Sequence, residues 1–315
     1  MSECKEIVWD AEEWIEKQND AKRDRINGYH RIRQNRAEVF QNTANLVNQG
    51  YYEDEDNNII NFKNYPHPSE GTVFYKNKIT LEEIAPTEQE TIIEVINDDC
   101  LEVGKQLKLN EGLDVAILNM ASRTTPGGGC RKGCMAQEEQ IFYRTNIFQS
   151  LFPFSFFAKD YGLNIDKENQ YPLQTLHGAI YTPQALLFRN NEQKGYSLMD
   201  KPIELAFISV AAIRRPELEN GKIANQYLID MTKERMRTIF RIGLQHKHNA
   251  LVLGAWGCGA YKNPPRHIAQ LFKEVLEEEE FKNKFVKIVF AILEDYNSKQ
   301  NTKEGNLKPF IETFN

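Results

Sequence analysis

No apolar run in the 315-residue chain approaches the ~20 residues needed to cross a bilayer, which excludes a helical membrane span. The opening residues, MSECKEIVWDAEEW, are acidic and lack the apolar core of a signal peptide, so a cytoplasmic location is expected, or a nuclear one in a eukaryotic cell. Five cysteines are few and odd in number, which argues against a disulfide framework. Cys130 and Cys134 stand four apart, but no second Cys or His pair follows at zinc spacing, and no metal site is expected. Excess positive charge is also missing: the net charge is −6 and the pI near 5.7. The chain as a whole therefore has no field that attracts polyanions. Duplex nucleic acid is not expected to bind, and any anionic ligand must be held by local groups. There is no internal repeat.

What the chain does have is an alternation of short apolar strands and amphipathic helices. Hydrophobic residues make up 41% and aromatics 11%, enough for the core of one enlarged domain or of a domain with an appendage. Over residues 10–49, Ile32, Val39, Phe40, Ala44 and Val47 recur at helical spacing in a charged background, and predict one long amphipathic helix closed by Gly50. Tyr51 to Leu81 predicts a small hairpin or loop excursion, with β-rich pieces at Asn58–Phe62 and Thr72–Tyr75. Strands are then expected at Thr91–Ile96, Val115–Met120, His177–Arg189 with a break at Pro183, Glu204–Ile213, Leu251–Gly254 and Phe285–Leu293. Helices are expected after the Asn97-Asp98-Asp99 cap, from Gln137, over Gln226–His246 and over Arg266–Glu279. This alternation implies an α/β sandwich with its ligand at the carboxyl ends of the strands.

The stretch Val115 to Asn146 holds the densest chemistry. A buried strand passes through a polar turn into Gly127, Gly128 and Gly129, and Gln137, Glu138 and Glu139 then open a helix. Glycines let a backbone take positive φ and lie close against a ligand. Successive N–H groups in such a loop can curl into an anion-binding nest, and a helix start adds its own donors and dipole. Singly, the glycines are an ordinary turn and the glutamates an ordinary dipole complement. Their order behind a buried strand points to a phosphorylated ligand beside an acid–base group.

A second glycine loop, Gly254, Gly257 and Gly259, follows the strand at Leu251. A diphosphate needs donors on both sides, and two facing loops would supply them. Cys258, with no His motif beside it, reads as a small buried residue rather than a nucleophile. Phe152, Phe154, Phe156 and Phe157 read as core or rim packing. His177 reads as a structural histidine, and Arg123, Arg131, Lys132 and Arg144 as either phosphate contacts or solvated charge.

Three glycines, seven residues and then Gln-Glu-Glu resemble the signature of poly(ADP-ribose) glycohydrolases. The blocks LNMASRTTPGGG, AQEE, HGAIYTP, LLFR and VLGAWGCGAYKNPP resemble the microbial type in the same order, over roughly residues 25–293. The resemblance implies a three-layer α/β macrodomain, a central mixed sheet flanked by helices, over 86–315, with an N-terminal helical and hairpin extension over 1–85. It implies poly(ADP-ribose) or ADP-ribosylated protein as substrate, ADP-ribose as product, and no cofactor or metal. It assigns catalysis to Glu139, with Glu138 and Gln137 positioning the ribose. Gly127, Gly128, Gly129, Gly257, Cys258, Gly259 and Ala260 would line the ligand. Tyr261 would lie against the distal ribose, Asn119 would hydrogen-bond it, and Asp99 would contact the adenine amino group. From the residues alone, Asp99 reads first as a helix cap, while Asn119 is equally a strand-end turn residue and Tyr261 equally a core tyrosine.

Adjacent glutamates on a helix diverge by about 100°, unlike the usual carboxylate pair that flanks a glycosidic bond. One acid/base plus a positioning residue fits better. Glu139, protonated in the complex, would donate to the departing ribose oxygen and then help activate water, which requires a raised pKa. The microbial resemblance leans towards cleavage at chain termini. The segment Ser209 to Pro216 is more basic than the family pattern, through Arg214 and Arg215, and is expected to alter the adenosine side. Two other functions would use the same features. One is a macrodomain that binds ADP-ribose without cleaving it, against which the acid at position 139 argues. The other is a hydrolase of mono-ADP-ribosylated protein.

Overall fold

Val115–Met120 is the middle strand of a seven-stranded mixed sheet in the computed structural model of the chain, which describes residues 8–82, 87, 89–294 and 304–314. In chain order the strands are β1 (Tyr51–Glu53), β2 (Ile59–Asn61), β3 (Val73–Tyr75), β4 (Ile92–Ile96), β5 (Val115–Met120), β6 (Ala179–Arg189), β7 (Leu198–Val210), β8 (Leu218–Glu219), β9 (Lys222–Ile223), β10 (Ala250–Leu253) and β11 (Lys287–Ala291). The sheet runs β3, β6, β7, β5, β10, β11, β4. The five strands from β7 to β4 are parallel, and β3 is antiparallel to β6.

The chain divides into two compact units. The first comprises residues 1–72, 124–171 and 182–204, and the second residues 73–123, 172–181 and 205–315. The boundary expected between residues 85 and 86 lies outside the described residues.

The second unit shows how the parallel strands are buried on both faces. Side chains alternate along a strand. Ile117 points to α3 (Cys100–Asn110), filling the space that Gly104 leaves by having no Cβ. Ala116 and Leu118 point the other way, into a cluster with Ile208, Leu251, Phe290, Trp256, Phe240 and Phe272. With α4 (Gln137–Arg144) and α5 (Phe148–Leu151) preceding them in the chain, α6 (Gln226–Gln245) and α7 (Pro265–Leu276) contribute to that cluster. The helix expected at Gln226–His246 and the strands expected at 91–96, 115–120 and 251–254 are present within a residue or so of the spans read from sequence. A further helix, α8 (Leu307–Phe314), was not expected. It places Phe310 and Phe314 against Phe290 at ring-centroid distances of 5.2 and 4.6 Å.

In the first unit the single long helix expected over 10–49 is two, α1 (Ala11–Arg23) and α2 (Gly28–Gln49). The break has a local cause. The Asp24 carboxylate accepts from the Ile26 and Asn27 N–H groups at 3.0 and 2.9 Å, offering the backbone a turn in place of helix. Phe40 on α2 anchors the aromatic core, with ring centroids 6.2, 6.0, 6.0 and 5.8 Å from Phe142, Phe148, Phe152 and Tyr161. Phe152 and Phe154 are core residues, as expected, but Phe156 is 71% exposed.

β6 also departs from expectation, because it runs unbroken through Pro183. The last rung with β3 is Val73 with Tyr181, so the proline falls where β3 has already left the strand's side and its missing N–H is tolerated.

Candidate active site

The glycine loop and the glutamates belong to the first unit. α4 (Gln137–Arg144) follows Ala136, whose methyl side chain cannot cap it, with Glu138 and Glu139 in the first turn. Both carboxylates fold back onto the loop. Glu138 Oε1 accepts from the Gly127 N–H at 3.0 Å, and Glu139 Oε1 accepts from the Gly129 N–H at 2.8 Å. Gly128 makes this possible. Its φ is +54°, and a Cβ there would lie 2.5 Å from Glu139 Oε1 and 3.0 Å from Glu138 Oε2. Two adjacent glutamates that diverge at the helix surface therefore converge around Gly128, because their two methylenes let them bend back, one to the Gly127 N–H and the other to the Gly129 N–H.

This arrangement changes the reading of the loop. The Gly128 N–H donates to Thr125 O at 3.0 Å, so all three glycine N–H groups are engaged by the protein itself. The loop is a cradle for carboxylates rather than an open nest for phosphate.

Glu139 is 7% exposed and Glu138 4%. Glu139 Oε2 is buried and has no hydrogen-bond partner among the described residues. Burial raises the Glu139 pKa above 4.5, against the lowering effect of the Gly129 N–H, its own and the Ala136 backbone groups, and the Arg33 charge. Gln137, beside Glu138, is half-buried.

Arg33, on α2, was not singled out from the sequence. Its Nε donates to Lys132 O at 3.0 Å and its Nη2 to Cys134 Sγ at 3.1 Å, so it clamps the turn that follows the glycines. Nothing local in sequence marks it, because it lies about a hundred residues from its partners. The four described cysteines are free thiols, and burial together with Glu138 and Glu139 pushes the Cys130 thiol well up.

The remaining site residues read from sequence lie in the second unit. Asp99 caps α3, accepting from the Leu101 and Glu102 N–H groups at 2.9 and 3.2 Å. Asn119 is fully buried at the end of β5. Its Nδ2 donates to Ser209 Oγ at 3.0 Å and its Oδ1 has no partner among the described residues. Gly257 has φ +76°, and a Cβ would lie 2.6 Å from Asn263 Nδ2 and 2.7 Å from Ala212 Cβ. In contrast to the first loop, the N–H groups of Gly257, Ala260 and Tyr261 make no hydrogen bond among the described residues. Gly259 is half-buried, Ala260 exposed and Tyr261 half-buried, its Oη accepting from the Arg123 N–H at 3.0 Å. Cys258 is buried and its thiol pushed up by burial, which leaves it unreactive. His177 is also structural in character. Its pKa is lowered by burial, and its Nδ1 lies 3.7 Å from Glu234 without a hydrogen bond.

The sequence model of the microbial-type poly(ADP-ribose) glycohydrolase catalytic domain matches residues 40–190, which take in the C-terminal part of α2, the glycine loop and α4. Over that span, just under half of its length, the chain is similar to that family. Its solved relatives include the poly(ADP-ribose) glycohydrolase of Thermomonospora curvata, 25% identical over 90% of this chain and 100% of that one, with a TM-score of 0.73. The same enzyme bound to the inhibitor ADP-HPD gives 0.71 at 25% identity, with the same shares of both chains covered. The enzyme of Deinococcus radiodurans in complex with ADP-ribose is 27% identical, with 71% of this chain and 84% of that one covered and a TM-score of 0.55. No curated protein matches the chain. The mixed seven-stranded sheet and its helices are thus those of the glycohydrolase, macrodomain-like fold.

Proposed function

We propose that this protein hydrolyses the ribose–ribose O-glycosidic bond of poly(ADP-ribose) to release ADP-ribose from chain termini, with Glu139 as its acid/base. The observation that carries the assignment is the state of Glu139. It is buried, shifted towards its protonated form, and anchored through Oε1 to the Gly129 N–H, while Oε2 has no hydrogen-bond partner among the described residues. An acid held in this way keeps its proton nearer neutrality and offers it from a fixed position.

The Glu139 carboxyl gives its proton to the departing ribose oxygen as the bond from that oxygen to the anomeric carbon breaks. The carboxylate then takes a proton from the water that attacks the oxocarbenium-like centre. The Gly129 N–H steadies the charge that appears on Glu139, and Gly127 holds Glu138 beside it in a positioning role.

In the second unit, Asn119 with its unsatisfied Oδ1, the open N–H groups of Gly257, Ala260 and Tyr261, and the Tyr261 ring are proposed to bind the ADP-ribose moiety. Asp99 serves as a helix cap, and its contact with adenine stands as a proposal beside that role.

The test is ADP-ribose release from poly(ADP-ribosyl)ated protein by wild type and by Glu139→Gln. Release by wild type alone is expected. Tight ADP-ribose binding without release by either protein would point instead to a binding module.

A further inference from the structure

The second unit gathers arginines at the carboxyl ends of its parallel strands and leaves one of them buried without a counter-charge. Arg235, on α6, is 4% exposed, and its Nη1 donates to Ala211 O at 2.9 Å. That is its one hydrogen bond among the described residues, and it has no ion pair there. A guanidinium carries five donors, and burying the charge unpaired is costly. The same helix pairs its other arginines fully. Arg237 bonds Glu234 and Glu278, and Arg241 bonds Glu234 and Glu280. Arg235 is therefore an exception on a helix where carboxylates are at hand.

The surroundings of Arg235 add positive charge instead of negative. β5 and β7 are in register at Met120 and Val210, and the Ala121 N–H donates to Val210 O at 3.3 Å. Ala211, the acceptor of Arg235, thus leaves the sheet beside the point where the chain leaves β5 for Arg123. The Arg123 N–H is held by Tyr261 Oη, and Tyr261 O accepts from the Arg215 N–H at 2.6 Å. Asn263 Nδ2 donates to Ile213 O at 2.8 Å, tying the 211–215 segment to the second glycine loop. Arg123, Arg214 and Arg215 are exposed, and none makes an ion pair among the described residues. Burial and the nearby Arg123 hold the Arg235 pKa below its usual value, which an anion in this place would restore.

We propose that Arg235 and Arg123, with Arg214 and Arg215 at the rim, form a second phosphate subsite that holds the diphosphate of the ADP-ribose unit adjoining the one released. The inference rests on the glycohydrolase reading. One ADP-ribose unit carries one diphosphate, for which the open N–H groups of Gly257, Ala260 and Tyr261 already provide. The arginines are surplus to a single unit but matched to a polymer with a diphosphate in every unit. Guanidinium groups take phosphate oxygens in bidentate fashion.

The experiment compares binding of ADP-ribose with that of oligo(ADP-ribose) of defined length, alongside ADP-ribose release, for wild type, Arg123→Gln, Arg235→Gln and Arg235→Lys. The exposed Arg123 variant and the charge-keeping lysine guard against loss of fold at Arg235. Both glutamine variants are expected to bind the oligomer about tenfold more weakly, with a shallower dependence on salt, and ADP-ribose within about twofold of wild type. Arg235→Lys is expected to retain most of the oligomer affinity. Folded glutamine variants with unchanged oligomer affinity would overturn the subsite, and so would equal losses for ADP-ribose and oligomer. A wild type that releases no ADP-ribose, while the variants still lose oligomer affinity, supports the subsite and overturns the reaction.

Discussion

Gly128→Ala should separate the fold from the reaction. A Cβ at this residue would lie 2.5 Å from Glu139 Oε1, where ordinary contact begins at 3.4 Å. The obstructing atom is the end of a flexible side chain, so the protein can relieve the clash by letting the carboxylate swing away. The displacement needed is on the order of 1 Å, which at a reacting group costs roughly 100-fold in rate, or about 2.7 kcal/mol of barrier. The backbone cost is separate. Holding alanine at φ +54° costs roughly 1–2 kcal/mol, which lowers Tm by only a few degrees in a chain of this size. The assay is initial-rate ADP-ribose release from polymer at saturating substrate, with thermal melts of the same preparations. A folded Gly128→Ala protein with kcat within about threefold of wild type would refute the reasoning, because the carboxylate position would then not matter at the scale argued.

Other expected outcomes follow from the same geometry. Because burial raises the folded pKa of Glu139 above 4.5, the protonated carboxyl stabilises the fold fully below pH 4.5, and that contribution is lost as pH rises through the folded value. Glu139→Gln should therefore melt above wild type at pH 8 and converge with it in acid, and ADP-ribose release by wild type should fall on the same alkaline limb. Melting curves and pH–rate profiles check both. Arg33→Ala removes a positive charge that favours ionised Glu139 and two bonds that hold the turn after the glycines, so the alkaline limb should move to higher pH while kcat drops. An unmoved limb in the pH–rate profile would contradict it. Gly257→Ala meets Ala212 Cβ, which cannot swing aside, at φ +76°. It should cost on the order of 1–3 kcal/mol of stability, read by denaturant melts, and weaken ADP-ribose binding.

Much of this was legible in the sequence because the signals are local. The apolar run at Val115, the capping triplet ending in Asp99 and the glycine that closes α2 each act within a turn or two of themselves. The order of glycine loop and glutamates was legible for the same reason. What they do with each other was not. Helical spacing makes Glu138 and Glu139 diverge, and only the fold-back onto Gly127 and Gly129 shows that the loop donors serve the carboxylates. Asp24 ending α1 depends on a side-chain turn that competes closely with helix in any charged run. Arg33 and Arg235 carry no sequence mark because their meaning lies in partners found or missing across the fold. The grouping of residues 124–171 with the first 72 is likewise a long-range fact.

The central claim is that a single buried carboxyl, Glu139, supplies the proton that cleaves the polymer. The most direct measurement is ADP-ribose release from poly(ADP-ribosyl)ated protein by wild type and Glu139→Gln, with ADP-ribose affinity determined for both. The account predicts release by the wild type, loss of release in the variant by a factor of at least about 100, and similar ADP-ribose affinities. Hydrolysis by Glu139→Gln at a rate close to wild type would contradict it.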